Sequence, residues 1–364
     1  TRYISVTGVQ TCALPICFQT LQFCEDSTGN LKLQATDMQF DVVIGNPPYQ
    51  KQDAGDSTGA SPIYHLFVDL AKTLANNVVL IIPSRWFAGG KGLDTWRTTM
   101  LCDDQTRVIV DYPDSTDCFP DVSIMGGVCY VIWQRDTHGD CVVTTRHRGE
   151  VFTSTRPLNE FDKFIRFGAS VPIVRKVLSH QDFQHGSNLS DYSDSSQVSR
   201  VSSSRPFGLR TNYTNMQTQA APGLVKIWGN NRVGWVERSQ ITVNTESIDR
   251  YKVLITAAYG GIEQVLNRPI IAEPGSCCTE TYIVCGVFDT LQEAENQAGY
   301  IRTKFFRFMV AQRKLTQHNP RDRFLWVPLL DMNTPWSDTE LYDRYALTAE
   351  ERAHIEKSIK PMPN

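Results

Sequence analysis

The chain has 364 residues, 41% of them hydrophobic, enough for two domains with cores of their own. Its net charge of −3 is uneven: residues 1–150 hold eleven basic and seventeen acidic side chains, and residues 151–364 hold twenty-five and twenty-two. With no apolar run of about eighteen residues, no secretory leader pattern and ten cysteines that lack paired CxxC spacing, the expectation is a cytoplasmic protein with reduced thiols, no membrane span and no bound metal.

Thr7–Ile16, TGVQTCALPI, reads like the translation of a sequencing-library adapter, so residues 1–16 are expected to be foreign to the fold. From Cys17 strands and helices alternate. A strand LQFCED ends at Asp26, and a second is predicted over Gln39–Gly45. Ser61–Ala75 is predicted as a helix with Ile63, Phe67, Leu70 and Leu74 on one face. Asn77–Pro83 is a buried strand, Leu93–Cys102 a helix and Thr106–Asp111 a strand. Gly126–Arg135 and Cys141–Arg146 follow as an antiparallel pair. This order predicts an α/β class, a mostly parallel sheet covered by helices with a hairpin at its edge.

A first domain over 17–150 and a second over 151–364 are expected. Residues 186–205 hold nine serines in twenty and read as a flexible loop. Beyond it come short β-like runs (Leu224–Trp228, Gln240–Val243, Tyr251–Thr256) and one helix over Leu291–Lys314. A charged helix over Thr348–Lys360 is opened by Thr348 with Glu351 three residues on, a capping box.

The residues that suit chemistry are Asn46-Pro47-Pro48-Tyr49, at the carboxyl end of the second strand, where open α/β sheets hold ligands. A conjugated amine is a poor nucleophile because its lone pair is delocalised. The Asn46 side-chain oxygen can accept one of its N–H groups and the Pro47 carbonyl the other, which localises the lone pair. The prolines stiffen the turn and donate no N–H. Tyr49 offers a flat face for stacking. Transfer of a methyl group to such an amine needs positioning more than a strong base.

The Asn-Pro-Pro-Tyr element resembles the signature of amino-methyltransferases that use S-adenosylmethionine. Adenine-specific DNA methyltransferases and protein glutamine methyltransferases of release factors share it. The 315 residues after Tyr49 favour the DNA branch. So do PFGLRTNY (206–213), TETYIVCGVF (279–288), YIRTKFFRFMV (300–310) and the tail from Phe324 to Glu351. These segments resemble the specificity region of type II restriction–modification adenine methylases. The resemblance runs from Cys17 over most of the chain. It implies part of a Rossmann-like S-adenosylmethionine-dependent sheet, joined to an α+β target-recognition domain that binds double-stranded DNA.

The resemblance also implies roles. Asn46, Pro47, Pro48 and Tyr49 become catalytic. Asp26 would contact the cofactor. Phe119, in Cys118-Phe119-Pro120, would face Tyr49 across a flipped adenine, offsetting its lost stacking. Arg85 and Lys91, in the glycine-containing loop Ser84–Gly92, would reach DNA phosphate. Arg302, Lys304 and Arg307 begin a basic run to Arg323 interleaved with phenylalanines. It reads either as an amphipathic helix with a solvated basic face or as a backbone contact. The family's glycine-rich cofactor loop lies upstream of the Asp26 position, and only about ten native residues precede Asp26. The chain is therefore expected to be truncated and to bind S-adenosylmethionine poorly. A non-catalytic DNA-recognition fragment and a protein glutamine methyltransferase are the alternatives.

Overall fold

The computed structural model describes residues 21–25, 31–35, 39–52, 60–88, 91–183, 196–230, 232–259, 265–313 and 318–362. Two compact units divide between Gly168 and Ala169. Among the described residues no helix is long and apolar enough to cross a membrane.

In the first unit, β1 (Leu21–Glu25) and β2 (Leu31–Ala35) pair antiparallel as a two-stranded ladder. The chain then runs through β3 (Phe40–Gly45), a short antiparallel hairpin of β4 (Gln50–Gln52) and β5 (Ala60–Pro62), and helix α1 (Tyr64–Leu74). It continues through β6 (Ala75–Pro83), helix α2 (Asp94–Cys102) and β7 (Thr106–Tyr112). Three strands close the unit: β8 (Val128–Gln134), β9 (Cys141–His147) and β10 (Glu150–Arg156). Six of these form one sheet in the order β10-β9-β7-β8-β6-β3.

The sheet is mixed, and its centre differs from the expected hairpin of β8 with β9. β8 lies between β7 and β6, antiparallel to both, while β9 runs parallel to β7. Burial explains the choice. β8 is apolar over most of VCYVIWQ, with every residue buried or half-buried, as an interior strand requires. The edge goes instead to β10, whose EVFTSTR sequence is largely exposed and which pairs with β9. That pairing moves the division between the units from the expected residue 150 to Gly168.

Helix α1 buries Tyr64, Val68, Leu70, Ala71 and Leu74, so its inward face is rotated from the one expected; Ile63 and Phe67 are half-buried. The Ser84–Ala88 segment is a 3-10 turn, with Trp86 and Phe87 wholly buried. Phe87 stacks on Phe164, with ring centroids 4.1 Å apart. The turn is thus fixed from beneath by aromatic packing.

The second unit begins with helix α3 (Ser170–Leu178). It holds two three-stranded sheets. One consists of β11 (Leu224–Gly229) between β12 (Arg232–Glu237) and β15 (Ser276–Cys278). The other consists of β13 (Tyr251–Thr256) between β14 (Ile270–Ala272) and β16 (Tyr282–Phe288). Ile227, Leu254, Cys277 and Cys278 are fully buried in a shared core. The expected strand over Gln240–Val243 does not form; a 3-10 turn over Arg238–Gln240 runs into it. Of the serine-rich segment, 186–195 lies outside the described residues. Its second half is not a loose loop: Ser196 caps a 3-10 turn at Gln197–Ser199, and Gln197 is buried.

The expected single helix over Leu291–Lys314 is two helices, α4 (Leu291–Arg302) and α5 (Lys304–Arg313). Thr303 breaks them with extended backbone, ψ 148°. The amides of Lys304 and Phe305 turn to Asp338 instead, at 3.0 and 2.8 Å from its carboxylate oxygens. Asp338 opens helix α6 (Asp338–Arg344), so a residue distant in the chain caps the start of α5. The last helix, α7 (Ala349–Ser358), carries the expected Thr348–Glu351 capping box.

Candidate active site

β3 and β6 run parallel, with Gly45 opposite Leu80. β7 also points the same way, because β8 is antiparallel to both β6 and β7. The carboxyl ends of β3, β6 and β7 therefore share one edge of the first unit. From that edge emerge Asn46–Tyr49, the Ser84–Ala88 turn and the loop carrying Phe119. This is the position at which α/β sheets form ligand crevices.

The motif is held at its base. β4 starts directly after Tyr49 and pairs with β5, which leads into α1. The Ile63 amide donates to the Tyr49 carbonyl at 3.2 Å. Pro47 is buried and Pro48 exposed, while Asn46 and Tyr49 are half-buried. Burial pushes the Tyr49 hydroxyl up to about 12, with Cys129 and Cys118 adding to the rise and the neighbouring Asn46 side chain opposing it. Tyr49 therefore stays neutral near pH 7 and is no proton acceptor there. Phe119 is half-buried in the loop after β7.

Some polar atoms on the elements that leave this edge lack partners. Asn46 Oδ1, His65 Nδ1 and Arg85 Nε are each buried without a hydrogen-bond partner among the described residues. A buried acceptor left unmade costs about 1–3 kcal/mol. A buried acceptor such as Asn46 Oδ1 is open to a donor from a bound group. Behind them the aromatic packing is dense. Trp96 meets Tyr64, His65 and Trp86 edge-on at 6.0, 5.9 and 5.7 Å between ring centroids. The Trp96 indole donates to Asp69 at 2.8 Å.

One buried charge joins the loops. Asp111, at the end of β7, accepts the Ser84 hydroxyl at 2.6 Å and is gripped by Arg166. Arg166 also donates to the Gly126 carbonyl at 2.8 Å. This centre ties the Ser84 turn to the far end of the Phe119 loop. Gly127 closes the loop with φ +81°, and a Cβ there would lie 2.1 Å from the Tyr112 carbonyl oxygen. Sequence inspection does not single out Asp111, Arg166 or Gly127, because their partners are distant in the chain.

Beside β3 lies a shallow cavity lined by Val43, Ile44, Asn46, Pro47, Phe67 and Leu80 among others. Its lining carries no carboxylate and no glycine-rich loop. Asp26 lies outside the described residues. Lys91 is exposed, with left-handed backbone at φ +50°. Among the described residues no group of three or more His, Cys, Asp or Glu side chains could hold a metal ion.

In the second unit the basic run does not form a continuous solvated face. Arg307, Arg313 and Arg323 are buried, at 1%, 3% and 8% exposure. They spend donors on main-chain carbonyls: Arg307 on Thr303 and Lys360, Arg313 on Asp322, and Arg323 on Arg313. Arg302 is exposed and Lys304 half-buried. Both line a polar cavity with Arg307 and with Arg268, a residue that no local pattern distinguishes.

Comparison with known proteins gives a family match that lies within the first unit. Residues 18–119 match the family described as Eco57I restriction-modification methylase. That stretch contains β3, the Asn46–Tyr49 turn and Phe119. An uncharacterized adenine-specific methylase of Mycoplasma pneumoniae is 36% identical over 113 residues, 30% of this chain and 27% of that protein. The chain thus spans about a quarter of the curated relative it matches. Among solved structures, the type IIL restriction-modification enzyme MmeI in complex with DNA aligns at 10% identity over 87% of this chain and 53% of its own, TM-score 0.44. The type I restriction-modification methyltransferase subunit of Streptococcus thermophilus aligns at 15% identity over 39% and 32% of the two chains, TM-score 0.24.

Proposed function

We propose that this chain is part of an adenine-specific DNA methyltransferase of a restriction–modification system. The reaction is transfer of a methyl group from S-adenosylmethionine to the exocyclic amine of an adenine turned out of double-stranded DNA. The observation that carries this reading is the buried, unpartnered Asn46 Oδ1 on a rigid turn at the carboxyl edge of the sheet. Its missing partner is an N–H donor, and an exocyclic amine supplies one.

Asn46 Oδ1 accepts one amine hydrogen and the Pro47 carbonyl the other, so the nitrogen lone pair is aimed rather than delocalised. The Tyr49 ring stacks on the base from one side and Phe119 from the other, in place of the duplex neighbours. The neutral Tyr49 hydroxyl takes no proton. The amine becomes acidic as it is alkylated and releases its proton to solvent.

The described residues do not by themselves fit the methyl donor. The cavity beside β3 is apolar and offers no carboxylate for a ribose or an adenine amine. No step is therefore assigned to groups that would hold S-adenosylmethionine; Asp26 is retained as the cofactor contact that the family resemblance implies. Arg85 and Lys91 are proposed to face DNA phosphate at the same edge. The second unit is proposed as the target-recognition part.

The test is N6-methyladenine formed in duplex DNA with S-adenosylmethionine, read by mass spectrometry of digested nucleosides. Asn46→Ala abolishes the product while duplex binding persists. Product undiminished by the substitution overturns the assignment. The apolar lining beside β3 favours one other reading, a DNA-recognition fragment without catalysis. Duplex binding with no heat on titration of S-adenosylmethionine selects it. A protein glutamine methyltransferase would show no salt-dependent duplex binding.

A further inference from the structure

We infer that the cavity bounded by Arg268, Arg302, Lys304 and Arg307 in the second unit is a phosphate-binding pocket. Its volume is about 300 Å³, far more than one water needs. Three guanidinium groups and one ammonium surround it, against a single carboxylate, Asp338. The other side chains on it are Pro361 and Met362.

The charge is not neutralised from within. Lys304 pairs with Glu356, which also accepts the Tyr342 hydroxyl at 2.9 Å. Asp338 is engaged by the first two amides of α5. Those amides are therefore taken, and the pocket is not simply an open helix end. Neither Arg268 nor Arg302 has a carboxylate partner among the described residues. Some exposed cations elsewhere in this unit have carboxylate partners, Arg238 with Asp249, Arg250 with Asp289 and Arg205 with Glu280, while Arg232 and Arg321 meet main-chain carbonyls. The guanidinium groups of Arg268 and Arg302, facing one polar cavity without carboxylate partners among the described residues, repel each other less once an anion sits between them.

Phosphate suits the donors. A planar guanidinium presents paired N–H groups that match two phosphate oxygens, and the two exposed forks of Arg268 and Arg302 suit a tetrahedral group. Arg307 is the fixed wall of the pocket, since Thr303 and Lys360 carbonyls hold it. Arg268 and Arg302 are the exposed arms. The phosphate comes either from a nucleic-acid backbone or from a free phosphate or nucleotide. Naming the backbone as source rests on the reading above; the pocket itself does not.

The experiment uses the full chain with Arg268→Ala, Arg302→Ala and their double variant. Arg238→Ala serves as a control outside the pocket. Binding of a labelled duplex is titrated across salt, and inorganic phosphate and a mononucleotide are titrated by calorimetry. For a backbone phosphate, the double variant weakens duplex binding by about tenfold or more and lowers the slope of log affinity against log salt by about two, while Arg238→Ala changes neither. For a small phosphate, duplex binding is unchanged and the heat with inorganic phosphate or nucleotide is lost. The inference is overturned if the wild-type chain binds none of the three probes, or if every affinity survives the double variant. This readout is binding alone, so it can fail while the Asn46 methylation test succeeds, and the reverse.

Discussion

Arg166 grips the fully buried Asp111 through two parallel hydrogen bonds, Nε to Oδ2 at 2.6 Å and Nη2 to Oδ1 at 2.7 Å. Arg166 comes from the segment after β10, and Asp111 ends β7, so the pair closes the first unit across its sheet. Arg166→Met leaves a buried carboxylate with only the Ser84 hydroxyl. It is expected to destabilise this unit by about 3–5 kcal/mol, measured by urea denaturation with circular dichroism. Replacing Asp111 with Leu in the same chain should recover part of the loss, because the uncompensated charge disappears. A single-variant loss under about 1 kcal/mol would mean that the pair is open in solution.

The loop ending at Gly127 gives a sharper contrast. Gly126 and Gly127 both have left-handed backbone, but only at Gly127 would a methyl group meet main-chain atoms. Gly126→Ala should cost about 1–2 kcal/mol, the penalty of the conformation alone. Gly127→Ala adds a clash with the Tyr112 and Pro113 carbonyls, which must shift, and should cost clearly more. Equal midpoints for the two variants in thermal unfolding would contradict the packing described for this loop.

The sequence is legible where local pattern and burial coincide. β3, β6 and β7 lie within one or two residues of their apolar runs, and the Thr348–Glu351 box is visible because both partners lie within one turn. The Asn46–Tyr49 turn is readable because its four residues are adjacent and directly follow β3. What stayed hidden depends on distant partners. The insertion of β8 between β7 and β6 is a choice among strands of similar composition. The break at Thr303 depends on Asp338, which no helical periodicity records. Arg307, Arg313 and Arg323 look like a solvated stripe because a sequence does not show main-chain carbonyls waiting to accept from them. Arg268 has no local signal at all.

Asn46→Ala should leave the fold as stable as the parent, or slightly more so, while removing function. The side-chain oxygen is a buried acceptor with no partner among the described residues, so its loss leaves no donor unpaired. Removing such a group recovers desolvation free energy, on the order of 1 kcal/mol, against a small loss of packing. Differential scanning calorimetry checks the sign. A marked fall in melting temperature would show that Asn46 serves the fold rather than a ligand.

Mild acid should weaken both units. Burial holds His65, His147 and His354 below their ordinary value of 6.5, with Arg148 adding to the effect at His147 and Lys357 at His354. The unfolded chain therefore binds protons at these sites before the folded one does. Stability is unaffected well above pH 6.5 and falls as pH drops through 6.5 toward the lowered folded values. His354, which meets the Ser170 hydroxyl at 3.0 Å, is the test site in the second unit. His354→Gln should flatten that unit's share of the decline in denaturant midpoint between about pH 7.5 and pH 5. An unchanged slope would mean that His354 is solvated when folded.

Asp338 links stability to the proposed phosphate pocket, and the two can be separated. Its carboxylate accepts the Lys304 and Phe305 amides, and burial raises its pKa. Asp338→Ala leaves those amides uncapped and should cost about 1–2 kcal/mol. Asp338→Asn retains a side-chain oxygen for one amide and should cost only a fraction of that. The asparagine also removes the one negative charge on the cavity lined by Arg268, Arg302, Lys304 and Arg307. Phosphate affinity should therefore rise in Asp338→Asn, with a duplex affinity that depends more steeply on salt if the backbone is the source. An asparagine variant that folds normally yet binds every phosphate probe more weakly would show that Asp338 orients the arginines rather than opposing their charge.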